Sequence, residues 1–172
     1  HIIFKEVQIM KKMTTAIVAG LATLAFSASA FAAISAEEAK AIAAKEVPAS
    51  STHILTKADR DNFTPYFEVK FYDNATNTEY EIDVLQSTGA IKEYSMDIKP
   101  MMGSRKVALS AADAKNVVLK DYPQAAFTKV ELDSDDGLYE YEVKFTAPGL
   151  RGSYTINPET GDKNKKELKY QF

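Results

Sequence analysis

Between Tyr66 and Tyr72 the chain alternates strictly. Phe67, Val69 and Phe71 fall on one side, and Glu68 and Lys70 on the other. The same alternation runs from Tyr139 to Phe145, with Tyr139, Tyr141, Val143 and Phe145 set against Glu140, Glu142 and Lys144. A period of two with one apolar and one charged face predicts antiparallel strands of a sheet covered on one side. Tyr80, Ile82 and Val84 predict another strand, as do Tyr154 and Ile156. Ile54-Leu55-Thr56 and Lys129-Val130-Glu131-Leu132 predict an earlier one in each half. Asp136-Gly137, Thr88-Gly89 and Asn157-Pro158 supply the turns.

The period changes to that of a helix in two places. Ala39, Ile42, Ala43 and Val47 form one apolar stripe, and Ala114, Val117, Val118 and Tyr122 form another. Ser35 with Glu38, and Ser110 with Asp113, have the spacing of a capping box. Pro48 and Pro123 end the stripes, because the residue before a proline is disfavoured in helix. Helices of about 12 residues are too short to stand alone and need an apolar surface.

These elements recur in order. Ile34-Ser35-Ala36-Glu37-Glu38-Ala39-Lys40 matches Leu109-Ser110-Ala111-Ala112-Asp113-Ala114-Lys115. Phe67-Glu68-Val69-Lys70-Phe71 matches Tyr141-Glu142-Val143-Lys144-Phe145, and Thr88-Gly89 matches Thr160-Gly161. The reading is an α+β protein of two tandem repeats, each one helix packed on a three- to four-stranded antiparallel sheet. Repeat 1 spans 33–98, a linker 99–108, and repeat 2 spans 109–172. Each repeat is marginal in size by itself, so the two are expected to pack together.

The first 32 residues read differently. Met10-Lys11-Lys12 precedes an apolar run ending near Phe26, and Ala30 and Ala32 make an A-x-A cleavage site. That is a signal peptide over 10–32, and its apolar run of about a dozen residues is too short to span a bilayer. The expected product starts at Ala33 and is exported, periplasmic or secreted, with no membrane attachment after cleavage. Lys5-Glu6-Val7 can be encoded as a bacterial ribosome-binding site upstream of Met10, so 1–9 is expected to be mis-called upstream translation.

Charge and composition narrow the function. From 33 onward, 18 Lys+Arg oppose 23 Asp+Glu, a net charge of −5. An acidic chain without a basic stripe argues against a nucleic-acid partner. There is no cysteine, hence neither a disulfide nor a lipid-anchoring cysteine. His53 is the one histidine after the leader, placed in the loop after the first helix, where it reads as a solvated residue. A serine triad or a zinc site asks for more than this chain offers, and no G-x-S-x-G elbow is present. No catalytic residue and no cofactor are assigned, and no carboxylate pair is singled out for glycoside hydrolysis.

Asp133, Asp135 and Asp136 form the one candidate metal cluster. With Gly137 they resemble the start of a calcium loop, but Lys144 stands where the bidentate glutamate belongs. The plainer reading is a hairpin turn, echoed by Asp59-Arg60-Asp61-Asn62. Tyr80, Tyr141 and Tyr154 are expected in the core. Tyr66, Tyr72, Tyr94, Tyr139 and Tyr170 are expected near strand ends or edges, where tyrosines favour protein interfaces. Lys163, Lys165, Lys166 and Lys169 read as a solvated edge strand protected against aggregation.

The opening Ile-Ser-Ala-Glu-Glu-Ala-Lys, the proline at the helix end, Tyr/Phe-Glu-Val-Lys-Phe and the Thr-Gly turn together resemble the PepSY domain family, twice over. The first copy departs at Leu85-Gln86-Ser87, where the family is more polar. The resemblance implies a helix on an antiparallel sheet and a role in binding or restraining peptidases. The tandem arrangement is also similar to β-lactamase-inhibitory-protein folds. A non-enzymatic exported module whose protein partner is a peptidase that it regulates or inhibits is the function it implies. A small-ligand or cation-binding envelope protein is the alternative.

Overall fold

The computed structural model describes residues 32–100 and 103–172. The expectations for 1–9, for the apolar run and for Ala30 therefore lie outside the described residues. The elements run α1 (Ala36–Ala43), β1 (Thr52–Asp61), β2 (Thr64–Asp73), β3 (Thr78–Leu85) and β4 (Ile91–Ile98). They continue with α2 (Ala111–Asp121), β5 (Ala126–Asp135), β6 (Leu138–Ala147), β7 (Leu150–Ile156) and β8 (Lys163–Tyr170).

The eight strands form one antiparallel sheet in the order β1-β2-β3-β4-β8-β7-β6-β5. The fold is mixed α+β, as expected, but the sheet is continuous. β4 pairs with β8 in the middle, and β1 and β5 are the edges. The lysine-rich segment is thus a central strand and not an edge, which corrects the expectation. The reason lies opposite it. Glu93 of β4 faces Lys169, and Asp97 faces Lys165. The Lys169 ammonium reaches Glu93 at 3.2 Å. Cross-strand pairs of opposite charge favour this neighbour over a like-charged one.

Both helices begin as the sequence predicts. Glu38 N–H donates to Ser35 Oγ at 3.2 Å, while Ser35 N–H donates to Glu38 at 2.7 Å. Ser110 and Asp113 reproduce the pair at 3.2 and 2.8 Å. Both acids are held below the ordinary carboxylate range by their bonds to the serines. α1 is shorter than expected, with eight residues. Its end tightens into bonds of the i→i−3 kind, Lys45 to Ile42 and Glu46 to Ala43, before Pro48 is reached.

Two buried clusters form on the sheet. Ala39 and Ala43 of α1 join Val69, Phe71, Tyr80, Ile82 and Val84. Ala114 and Val118 of α2 join Tyr141, Val143, Phe145, Tyr154, Ile156, Leu150 and Leu168. Tyr94 packs against both, which puts them on one face of the sheet. The core positions of Tyr80, Tyr141 and Tyr154 agree with the alternation. Tyr94 does not sit near an edge as expected, because β4 is central.

The opposite face is a lattice of ion pairs. Lys70 spans Glu68 and Glu81 at 3.4 and 2.8 Å, and Lys92 spans Asp61 and Asp83 at 3.4 and 3.5 Å. Between the halves, Ser104 exchanges backbone bonds with Tyr139 at 3.0 and 2.7 Å, and its hydroxyl donates to Glu159 at 2.6 Å. A side chain at Gly103 would meet the Tyr139 carbonyl at 2.7 Å, so glycine lets this segment lie against β6.

Candidate functional site

The acidic cluster of the second half is divided by the structure. Asp133 and Asp135 lie on β5, and Asp136 lies in the turn that follows, with φ of 47° and Gly137 at 74°. Two successive residues at positive φ are the geometry that Asp-Gly provides in a two-residue hairpin. Asp133 and Asp135 line a shallow cleft of about 230 Å³ with Gly103, Ser134, Leu138 and Glu140. The acids that converge are a different set. Ligand atoms of Glu131, Asp133 and Glu142 lie within 4.8 Å of one another. Glu131 and Glu142 come from facing positions of β5 and β6, a proximity that spacing along the chain does not reveal. Lys129 already bonds both glutamates, and its contact with Glu131 is 2.5 Å. Lys144 adds a 2.8 Å bond to Glu142. These lysines hold Glu142 below the ordinary carboxylate range. The group could take a cation only in competition with Lys129.

His53 belongs to β1, not to a loop. Its Nε2 lies 2.8 Å from Thr56 Oγ1, and its ring meets Phe71 edge-on at 5.4 Å. The strand begins earlier than Ile54-Leu55-Thr56 suggests, because pairing with Tyr72 and Phe71 extends it to Thr52.

Where β4 meets β8, tyrosines surround a lysine. The Lys166 ammonium lies 5.5, 5.8 and 5.6 Å from the ring centroids of Tyr94, Tyr122 and Tyr154. Burial lowers the affinity of this amine for its proton, while Asp121 favours the charge. Asp121 Oδ2 accepts from the Tyr154 hydroxyl and from Lys163, both at 2.7 Å. Burial alone would raise the Asp121 carboxyl, but those two bonds, together with the charges of Lys163 and Lys166, outweigh it and hold the group below the ordinary range. Sequence reasoning placed these residues separately in core, edge and tail. Only the strand order joins them.

The sheet's two edges are its other chemical resource. β1 and β5 each run ten residues and, among the described residues, pair on one side alone. Each carries a register shift near its start, at His53/Leu55 and at Phe127/Lys129. Ile54 is 61% exposed and Leu55 39%. Among the described residues no helix is long and apolar enough to cross a membrane.

The two capped helices, each followed by antiparallel strands, define a mixed α+β domain, and comparison with known families gives that domain a family. The chain belongs to the PepSY family, whose description is "Peptidase propeptide and YPEB domain", matched at residues 33–93 and again at 108–163. A relative from Streptococcus pyogenes serotype M6 (strain ATCC BAA-946 / MGAS10394), "Uncharacterized protein Spy1430", is 36% identical over 77 residues. The match covers 41% of this chain and 59% of that protein, so the chain spans little more than half of its relative. The solved Bacillus megaterium YpeB C-terminal domain aligns over 78% of this chain and 62% of its own, at 19% identity and a TM-score of 0.51. That likeness is one of fold.

Proposed function

We propose that this chain is an exported, non-catalytic PepSY protein that binds a polypeptide partner at a sheet edge, and that the partner is a peptidase it restrains. The observation that carries this reading is a pair of ten-residue edge strands, unpaired on their outer sides among the described residues, at the two ends of the sheet. An extended segment added there gains main-chain hydrogen bonds, with side-chain pockets supplying selectivity. Steric cover of the partner's cleft would follow from the bound sheet. Membership of a family described by peptidase propeptides supports the choice of partner. In this reading 33–98 and 109–172 are two copies of one helix-on-sheet unit, joined through 99–108, and the signal peptide over 10–32 delivers them to the periplasm or the medium. The test uses tagged protein as bait in the exported fraction of its own organism, followed by assay of each recovered peptidase with purified protein. Dose-dependent loss of peptidase activity is the expected result. Recovered peptidases whose activity is unmoved at saturating protein would sink the reading.

A second reading has an observation of its own. Glu131, Asp133 and Glu142 converge closely enough to hold a divalent cation. A ligand that binds only the folded chain raises its melting temperature. A rise in melting temperature with calcium, enlarged in Lys129→Ala and absent in Glu142→Gln, would support it. Melting curves that do not respond to millimolar calcium in the unaltered chain or in Lys129→Ala would dispose of it.

A further inference from the structure

The turns joining β1 to β2 and β5 to β6 share one run of φ angles. Asn62 and Phe63 have φ of 45° and 69°, and Asp136 and Gly137 have 47° and 74°. In the second half, glycine takes the second position without steric cost. In the first half, a phenylalanine occupies it. A side chain with a Cβ is disfavoured at positive φ, and a bulky one is an outlier there. Phe63 is also 90% exposed, so packing among the described residues does little to offset the strain. Strain held at so exposed a residue points to a use outside the described fold.

Its surroundings extend the surface along one strand. β1, which leads into this turn, also carries the exposed Ile54 and Leu55. Lys57 and Arg60 balance Asp59 and Asp61 on β1, a net charge of zero. On β5 a single lysine, Lys129, meets Glu131, Asp133 and Asp135, a net charge of −2. The β5 edge exposes one large apolar residue, Leu132, and repels an acidic segment, whereas the neutral β1 edge exposes two, Ile54 and Leu55, and does not. Within β1 both acids are already engaged, Asp59 by Lys57 at 2.8 Å and Asp61 by Lys92 at 3.4 Å. Every ion pair among the described residues uses a lysine, which leaves the exposed Arg60 without one. Aromatic and arginine side chains are the types that dominate protein interfaces.

We infer that β1 is the docking edge, that Phe63 is its apolar anchor, and that Arg60 pairs with a carboxylate of the docked segment. The occupant is an extended polypeptide segment of a partner protein, bearing an acidic residue opposite Arg60 and an apolar recess for Phe63. The inference rests on the edge-binding reading above and names the edge and the residues.

The test needs no knowledge of the natural partner. A phage-displayed library of random twelve-residue peptides is selected on the full chain. Selected peptides are synthesised and their Kd measured by fluorescence anisotropy. Phe63→Gly should raise Kd tenfold or more while leaving the melting temperature unchanged or higher, because glycine relieves the strained turn. Arg60→Gln should raise Kd several-fold, with the difference shrinking at high salt. Gly137→Phe should leave Kd unchanged. Bound peptide should slow amide exchange in β1 and not in β5. Protection of β5 instead overturns this inference and leaves the edge-binding reading standing. Peptides that protect neither edge, or a selection that returns no binder, overturn both. An unchanged Kd in Phe63→Gly, a lower melting temperature in that variant, or self-association through β1 as the sole outcome also overturns the assignment.

Discussion

Tyr94 and Lys166 are the same position in the two halves of the sheet. They are separated by the 72 residues that also separate Thr88-Gly89 from Thr160-Gly161. Tyr94 faces Leu168 across the seam, Met96 faces Lys166, and the Lys166 ammonium stands 5.5 Å from the centroid of the Tyr94 ring. Where a symmetric pair would place tyrosine beside tyrosine or lysine beside lysine, the chain has one of each, drawn together as cation and ring.

Lys166 nonetheless weakens the fold at neutral pH. Burial makes its amine release a proton more readily than in the unfolded chain, where lysine titrates near 10.4. Charged Lys166 therefore subtracts from stability at pH 7, and the loss fades as pH rises from the folded value towards the unfolded one. The three rings lie near the outer limit of about 6 Å for an effective cation–π contact, so they return only part of this. Lys166→Met should raise the melting temperature at pH 7 by about 2–4 °C. The gain should shrink in melts recorded close to pH 10.

Asp83 gives a slope of its own at acid pH. Burial pushes its carboxyl up to about 6, against an opposing pull from Lys92. Its Oδ1 has no hydrogen-bond partner among the described residues. Below about pH 4 the group is protonated in both states and costs nothing. Between pH 4 and 6 the unfolded chain ionises first, so the folded chain holds the extra proton and stability falls as pH rises. Above 6 the penalty is complete. Asp83→Asn should flatten this part of a melting-temperature profile measured from pH 4 to 8, and should raise the value at pH 7.

The seam is addressed by charge. Glu93→Lys with Asp97→Lys sets like charges across from Lys169 and Lys165. That double variant should lose about 1–2 kcal/mol in urea unfolding. Adding Lys165→Glu and Lys169→Glu should restore most of it, because the pairs are re-formed with signs exchanged. Failure of the quadruple variant to recover would show that the strand order depends on the apolar face alone.

Gly152 faces Phe145 in the register of β7 and β6, and the ring covers it. A Cβ there would stand 2.3 Å from Phe145 Cζ. Phe145 is itself buried against Tyr122 and Tyr154, with ring centroids 5.3 and 5.4 Å away, so it has little room to move. Gly152→Ala should cost about 1–3 kcal/mol by denaturant unfolding, the range for overfilling a packed core. Phe145→Leu in the same background should recover part of the loss.

The local half of this structure is legible in the sequence. Ser35 with Glu38 and Ser110 with Asp113 state their caps within four residues, and the alternation around Val69 and Val143 states which side faces the core. The distant half is not. β8 reads Lys-Asn-Lys-Lys-Glu-Leu-Lys-Tyr, with Leu168 its one fully buried apolar residue, and a polar strand of this kind is usually an edge. What makes it central is the acidic β4, and no rule of spacing links residues 93 and 169. The same gap separated Asp133 from Glu142, and Tyr94 from Lys166. Phe63 was hidden differently: its neighbours read as turn residues, and only the φ angle shows that a phenylalanine stands where its counterpart is glycine.

The β4–β8 seam also changes what dilution can do. Two separate half-sheets would meet through these strands at a rate set by their abundance. Held on one chain, they meet at an effective concentration fixed by the short stretch after Ile98, which remains the same however little of the protein is present. Each half then has to fit only the other. That freedom lets Tyr94 and Lys166, or Phe63 and Gly137, be different residues while the sheet they share stays whole.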